Sequence, residues 1–316
     1  MAVVETPITL EDQITMIKKY VSFTKKVRMR RFLQYAGYFR ASRYGKYLLS
    51  FVEEIGYKPN QDDLFKLYDF DVKLRRVLNY YCNVVEIRFK NAIANTCSLE
   101  YGDGTFYLDK KSYTPSKGES DANTRKRNIR HFNKFYNEIV ETEKYLRTNT
   151  NKYPELKEYR KGGGKHKNKL PIWVTFAYSD FGTVTTMYSY LNGDLRKKIL
   201  KNTFNTKKYS KGDATKVDTW LASTRTVRNY CAHNSMVVGM TSSVVLTDSR
   251  DDADILIKDN DLFSRLYALK KLLPNDEKEK LKNDVKEIVS KSKMNVYLLN
   301  ILPSDWEEQY DRIVDF

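Results

Sequence analysis

Histidine is the side chain whose ordinary charge change lies closest to neutral pH, so it is the first candidate for proton transfer. This chain has three, His131, His166 and His233. His166 lies among the glycines and lysines of 160–169, a stretch without hydrophobic periodicity that reads as a basic loop. Such a loop holds no side chain in a fixed geometry, and contact with solvent or phosphate fits His166 better than catalysis. His131 closes the basic run Arg125-Lys126-Arg127-Asn128-Ile129-Arg130. A charged helix face touching a phosphate backbone is its ordinary reading.

His233 differs. Arg225, Arg228, Asn229, His233 and Asn234 interrupt an otherwise apolar helical pattern, and polar groups in such a setting are costly unless paired or used. On an ideal helix Asn229 and His233, four apart, share a face, while Arg225, Arg228 and Asn229 neighbour one another. Arg228 and His233, five apart, flank one cleft without touching. Their chemistry would be proton transfer by the imidazole beside a permanently charged guanidinium. A helix C-terminus whose dipole is offset by Arg and His stays open as the alternative on these residues alone.

The elements that must position this cluster are helical. Thr9-Leu10-Glu11-Asp12 has the form of a capping box, with Leu10, Ile14, Ile17 and Val21 following at helical spacing. Two or three short helices fit 28–55, interrupted near Gly37 and Gly45. Asp62 caps a long helix whose apolar stripe runs from Leu64 through Leu74, Leu78, Val85 and Phe89 to Ile93, ending near Gly102. Further helices are expected at 122–147, in short pieces from Ile172 to Phe204, and at 213–238, with Val217, Trp220, Leu221, Thr224 and Val227 buried. Residues 243–257 suggest a small β-hairpin around a solvated acidic loop at 248–254, followed by two charged helices at 262–273 and 276–292 and a short one from Trp306. The expected fold class is therefore all-α, divided into an N-terminal helical region 1–60, a core 61–240 and a C-terminal extension 241–316.

Composition narrows the partners. The 316 residues carry 56 Lys and Arg against 40 Asp and Glu, a formal charge of +16. That is the footprint of a polyanion binder, with nucleic acid as the leading partner and lysine-driven solubility as the bland alternative. No run approaches the roughly 18 to 20 apolar residues of a membrane span, and the first five residues form no signal peptide. A soluble, cytoplasmic protein without a membrane partner is expected. Cys82, Cys97 and Cys231 lack C-x-x-C spacing and read as buried thiols. Neither H-E-x-x-H nor a Cys and His ligand set occurs, so no metal and no other cofactor is expected.

Arg228-Asn229-Tyr230-Cys231-Ala232-His233 resembles the R-x4-H signature of HEPN ribonucleases, in the RN-x-x-AH form of Abi-like abortive infection proteins of the AbiF and AbiD type. Gly37-Tyr38-Phe39-Arg40, Tyr68-Asp69-Phe70-Asp71 with Leu74-Arg75, Val85-Glu86-Ile87-Arg88, Leu170-Pro171-Ile172-Trp173 and Phe181-Gly182-Thr183 are similar to that family as well. Together these cover about residues 30 to 240. Asn234 stands where many relatives carry a second histidine.

The resemblance implies a HEPN-like helical bundle that dimerises, sets two R-x4-H motifs across one cleft and cuts RNA without a metal. Arg228 and His233 would be catalytic. Attack by the ribose 2′-OH needs a base, an acid for the 5′-oxygen and positive charge at the phosphorus, and it leaves a 2′,3′-cyclic phosphate. A homodimer would supply the second histidine. Asn229, Glu86 and Arg88 are the supporting candidates. Glu86 and Arg88 are expected to face the catalytic helix, either orienting it or forming a structural salt bridge.

Basic segments at 25–31, 125–130, 160–169 and 197–211 would give salt-dependent RNA contacts. Arg125, Lys126, Arg127, Arg130, Lys165, Lys167 and Lys169 are the residues named for them. Some of the 24 tyrosines would stack on bases, though most suit core packing. The implied function is an abortive infection or toxin-antitoxin-like toxin, with a small noncoding RNA as a further partner. A non-catalytic RNA-binding protein is the chief alternative. A nucleotidyltransferase partner ranks below it, since no G-x-x-x-x-G-K occurs.

Overall fold

Thr9 accepts a hydrogen bond from the Asp12 backbone and Asp12 reciprocates, and this box starts α1, Leu10–Ile17. The computed structural model describes residues 7–116, 118–149, 151–161, 168–204, 211–240, 244, 246, 252, 254–255 and 261–316. After α1 come α2 (Lys26–Ala36), α3 (Tyr38–Leu49) and α4 (Val52–Ile55). Gly37 joins α2 to α3 at φ 77°, a left-handed conformation that glycine adopts without penalty.

The scaffold is α5, Gln61–Tyr101, 41 residues long and so about 60 Å from end to end. Its N-cap is Asn60, not the expected Asp62, because Asn60 receives the backbone N–H groups of Asp62 and Asp63 while Asp63 returns a bond to Asn60. Its buried residues recur every three or four positions, from Leu64 to Cys97. Gly102 ends it in the left-handed region.

The chain continues through α6 (Ala122–Thr148), α7 (Ile172–Tyr178), α8 (Phe181–Tyr190), α9 (Gly193–Phe204) and α10 (Lys211–Ala232). The last three helices are α11 (Leu262–Leu272), α12 (Asn275–Lys291) and α13 (Trp306–Arg312). The fold is all-α: among the described residues the only β pairing is an isolated bridge between Ser22 and Asn60. The hairpin expected at 243–257 falls mostly outside the described residues, as do Lys165, His166, Lys167 and part of the basic segment at 197–211. No helix among the described residues is long and apolar enough to cross a membrane.

One hydrophobic core runs from Ile14 to Ile313, so N-terminal, central and C-terminal helices share it. The charged helix expected at 262–273 is α11, and it is almost wholly buried between α10, α5 and α13, with Arg265 and Lys271 inside. Burial of these cations is offset by partners. Lys271 pairs with Asp252, which also accepts from Tyr267 at 2.9 Å and from the Val314 backbone at 2.8 Å. Asp252 is thus no part of a solvated acidic loop, whereas Asp254 is exposed and pairs with Arg312. Phe316 then lies edge-on to Trp220 of α10, with ring centroids 4.8 Å apart. The C-terminus is in this way fastened to the helix that carries His233.

Candidate active site

Val217, Trp220, Leu221, Thr224 and Val227 form the buried face of α10, as their spacing predicts. The helix and the residues that follow it pack on α5. Glu86 meets Arg228, the Cys82 thiol donates to the Thr224 carbonyl, Arg75 meets Asn234, and Asp71 meets Val237 and Val238.

The helix stops at Ala232, six residues before the expected end at 238. Asn234 is the cause: it takes φ 53°, its N–H donates to the Cys231 carbonyl, and the Ser235 N–H donates to the Tyr230 carbonyl. This pair of bonds is a Schellman ending with asparagine in the position glycine usually holds. His233 is consequently the last residue before the chain turns, with its imidazole exposed at the mouth of the site.

A buried carboxylate fixes that turn. Asp71 Oδ2 accepts from the Tyr44 hydroxyl at 2.6 Å and from Arg75 Nε at 2.8 Å, and Oδ1 accepts from the backbone N–H groups of Val237 and Val238, each at 2.8 Å. These four bonds give partners to a carboxylate that has no access to water. Burial drives the Tyr44 phenol far above its ordinary range, and the charge of Asp71 pushes it the same way. Arg75 then passes Nη1 to Asn234 Oδ1 at 3.0 Å, and Arg40 Nε reaches the Asn234 carbonyl at 3.4 Å. The motifs around Arg40, Asp71 and Arg75 therefore converge on the end of α10.

Arg228 is partly exposed, its side chain retaining 27% of its accessible surface, and Nε lies 3.5 Å from Glu86 Oε2. Glu86 also pairs with Lys90 at 2.7 Å. Arg228 Nη1 approaches Asn229 Oδ1 at 3.4 Å, so Glu86 and Asn229 flank the guanidinium, not the imidazole. Arg88 is turned elsewhere, which corrects its expected place on this face. It donates to the carbonyls of Leu272 at 2.8 Å and Thr203, and its guanidinium lies over Phe204. Glu86 and Arg88 are two positions apart, a spacing that puts them on different faces of α5 and so against different elements.

Two adjoining cavities open beside His233. Gly37, Phe39, Arg40, Arg43 and His233 line the first, and Tyr35, Arg75, Arg76 and Asn234 line the second, with Ala36, Arg40 and Asn234 shared. No carboxylate lines either. The corner between α2 and α3 thus forms one wall, a contribution the sequence reading did not assign to the site. The resemblance pointed at residues 37–40, but nothing in the spacing of one chain links them to His233 almost two hundred positions away.

The other basic candidates lie apart. Arg125, Lys126, Arg127 and Arg130 are exposed on the first turns of α6, which packs on α7 and α8. Arg125 is partly committed there, donating to the Glu119 carbonyl at 2.8 Å. Lys169 lies 3.7 Å from the buried Glu143. No group of three or more His, Cys, Asp or Glu side chains suited to a metal ion occurs among the described residues.

A family model described as Abi-like protein matches residues 31–238. No curated protein and no solved structure matches the chain. The matched span takes in both walls of the cavity beside His233.

Proposed function

The chain belongs to the Abi-like family, and from that premise we propose that it is a HEPN-type endoribonuclease in which Arg228 and His233 act without a metal. The observation that carries the reading is the place of His233: the exposed last residue of α10, opening on a cavity lined by arginines and by no carboxylate. An imidazole so placed has its proton-carrying nitrogens available, and it makes no side-chain hydrogen bond among the described residues. A phosphodiester is the group that such a cavity attracts.

In the proposed reaction the ribose 2′-oxygen attacks phosphorus as a base takes its proton, and the P–O5′ bond breaks as an acid protonates the leaving oxygen. The products are a 2′,3′-cyclic phosphate and a 5′-hydroxyl. Arg228, oriented by Glu86 and Asn229, offsets the charge that grows on the non-bridging oxygens. A single imidazole cannot give and take both protons in one step, so a homodimer placing His233 of a second copy across the cleft completes the set.

Family membership supports a role in abortive infection. The finer reading is a toxin that stops growth or phage replication by cutting RNA. With its +16 charge the chain also suits a small noncoding RNA as a bound partner.

The test is incubation of the purified chain with RNA in excess EDTA, followed by analysis of the ends. The reading expects cyclic phosphate and 5′-hydroxyl ends. Cutting that appears only with added divalent metal contradicts it, and tight binding without cutting favours the non-catalytic RNA-binding alternative.

A further inference from the structure

The corner between α2 and α3 displays two large aromatic side chains that the core does not use. Phe39 keeps 74% of its surface and Tyr35 keeps 76%, and each lines one of the two cavities that meet beside His233. Around them stand three exposed arginines, Arg40, Arg43 and Arg76, none of which has a carboxylate within ion-pair distance among the described residues. The Arg43 guanidinium lies 6.0 Å from the centre of the Phe39 ring, so that ring and cation form one unit. Gly37 leaves the corner open, since a Cβ there would meet nothing within 4 Å.

Exposed rings among arginines that have no carboxylate partner fit a chain of flat bases joined by phosphates. We propose that this corner is a subsite for single-stranded RNA next to the scissile bond, with Phe39 stacking on an unpaired base and Arg40 and Arg43 holding the adjoining phosphates. The assignment rests on the reading of the His233 cavity as an RNA site and adds the form of RNA it takes. A duplex keeps its base faces stacked inside and offers only backbone to this surface.

The test measures binding apart from cleavage, in the full chain with His233→Ala so that RNA stays intact. Labelled single-stranded RNA and the matching duplex are titrated by fluorescence anisotropy. In that background Phe39→Ala should weaken single-strand binding at least about five-fold and leave duplex binding unchanged, and Phe39→Trp should restore it. Arg40→Gln should weaken both and lower the salt slope by about one. Unchanged single-strand affinity in Phe39→Ala, or equal loss on both RNAs, would overturn the subsite. Loss of a dimer in Phe39→Ala on sedimentation would overturn it too, by assigning the corner to a second copy. A chain that binds single strands through Phe39 and never cuts them would sink the nuclease reading and leave the subsite standing.

Discussion

Arg75 Nη1 donates to Asn234 Oδ1 at 3.0 Å, joining the middle of α5 to the residue that follows His233. Asn234 also holds the left-handed conformation that ends α10. It therefore does two separable things, one through its side chain and one through its backbone.

Substitution separates them. Asn234→Gly removes the side-chain bond but suits the left-handed turn, whereas Asn234→Ala removes the bond and adds the strain of a Cβ at positive φ. The alanine variant should be less stable than the glycine variant by about 1 kcal/mol in urea denaturation. Equal stabilities would mean that the turn is not held in this conformation.

Asp71 should be among the most sensitive positions in the chain. Its removal strands a buried Arg75 guanidinium, the Tyr44 hydroxyl and two backbone N–H groups at once. Asp71→Ala is expected to lose about 3–5 kcal/mol, and Tyr44→Phe only about 1 kcal/mol. A neutral Asp71→Ala would contradict the role given to this hub.

Alkaline pH should unfold the protein. The phenols of Tyr44, Tyr107, Tyr113 and Tyr310 are pushed well above their ordinary range, in each case chiefly by burial. A group whose folded pKa is raised contributes stability below its unfolded pKa, here about 10, and loses it as pH rises further. Lys270 and Lys271 are lowered by burial and act with the opposite sign up to about 10.5, but they are fewer. Denaturation midpoints should fall steadily above about pH 10, and midpoints that hold or rise would contradict the phenol burial.

The three thiols should be silent in the folded protein. Cys82, Cys97 and Cys231 are free and buried, and burial pushes the Cys231 thiol up to about 12. A thiol-specific reagent near pH 8 should label none of them before denaturant is added. Prompt labelling of Cys231, which lies within the R-x4-H segment, would show that the end of α10 opens in solution.

Much of this architecture is legible in the sequence, because its signals are local. Thr9 with Asp12, the apolar stripe of α5 and the buried face of α10 all follow from spacing within a few turns. Spacing alone does not single out Asn60 as the cap of α5, because Asp62, two residues on, carries the same preference. The end of α10 is not legible in this way, since Val237 and Val238 prolong the apolar pattern and only the left-handed Asn234 breaks the helix. Nor is the burial of Lys271 and Arg265 legible in this way, because their partners, Asp252 and Ser223, come from elsewhere in the chain. Arg88 and the α2–α3 corner are tertiary facts of the same kind, which no periodicity carries.

The most direct test of the proposed chemistry is the single-turnover rate of RNA cleavage in EDTA for the wild type, Arg228→Ala and His233→Ala, with unfolding curves for all three. Neither side chain is buried, so both variants should fold like the wild type while each rate falls at least about 100-fold. A His233→Ala variant that still cuts RNA at the wild-type rate would contradict the account.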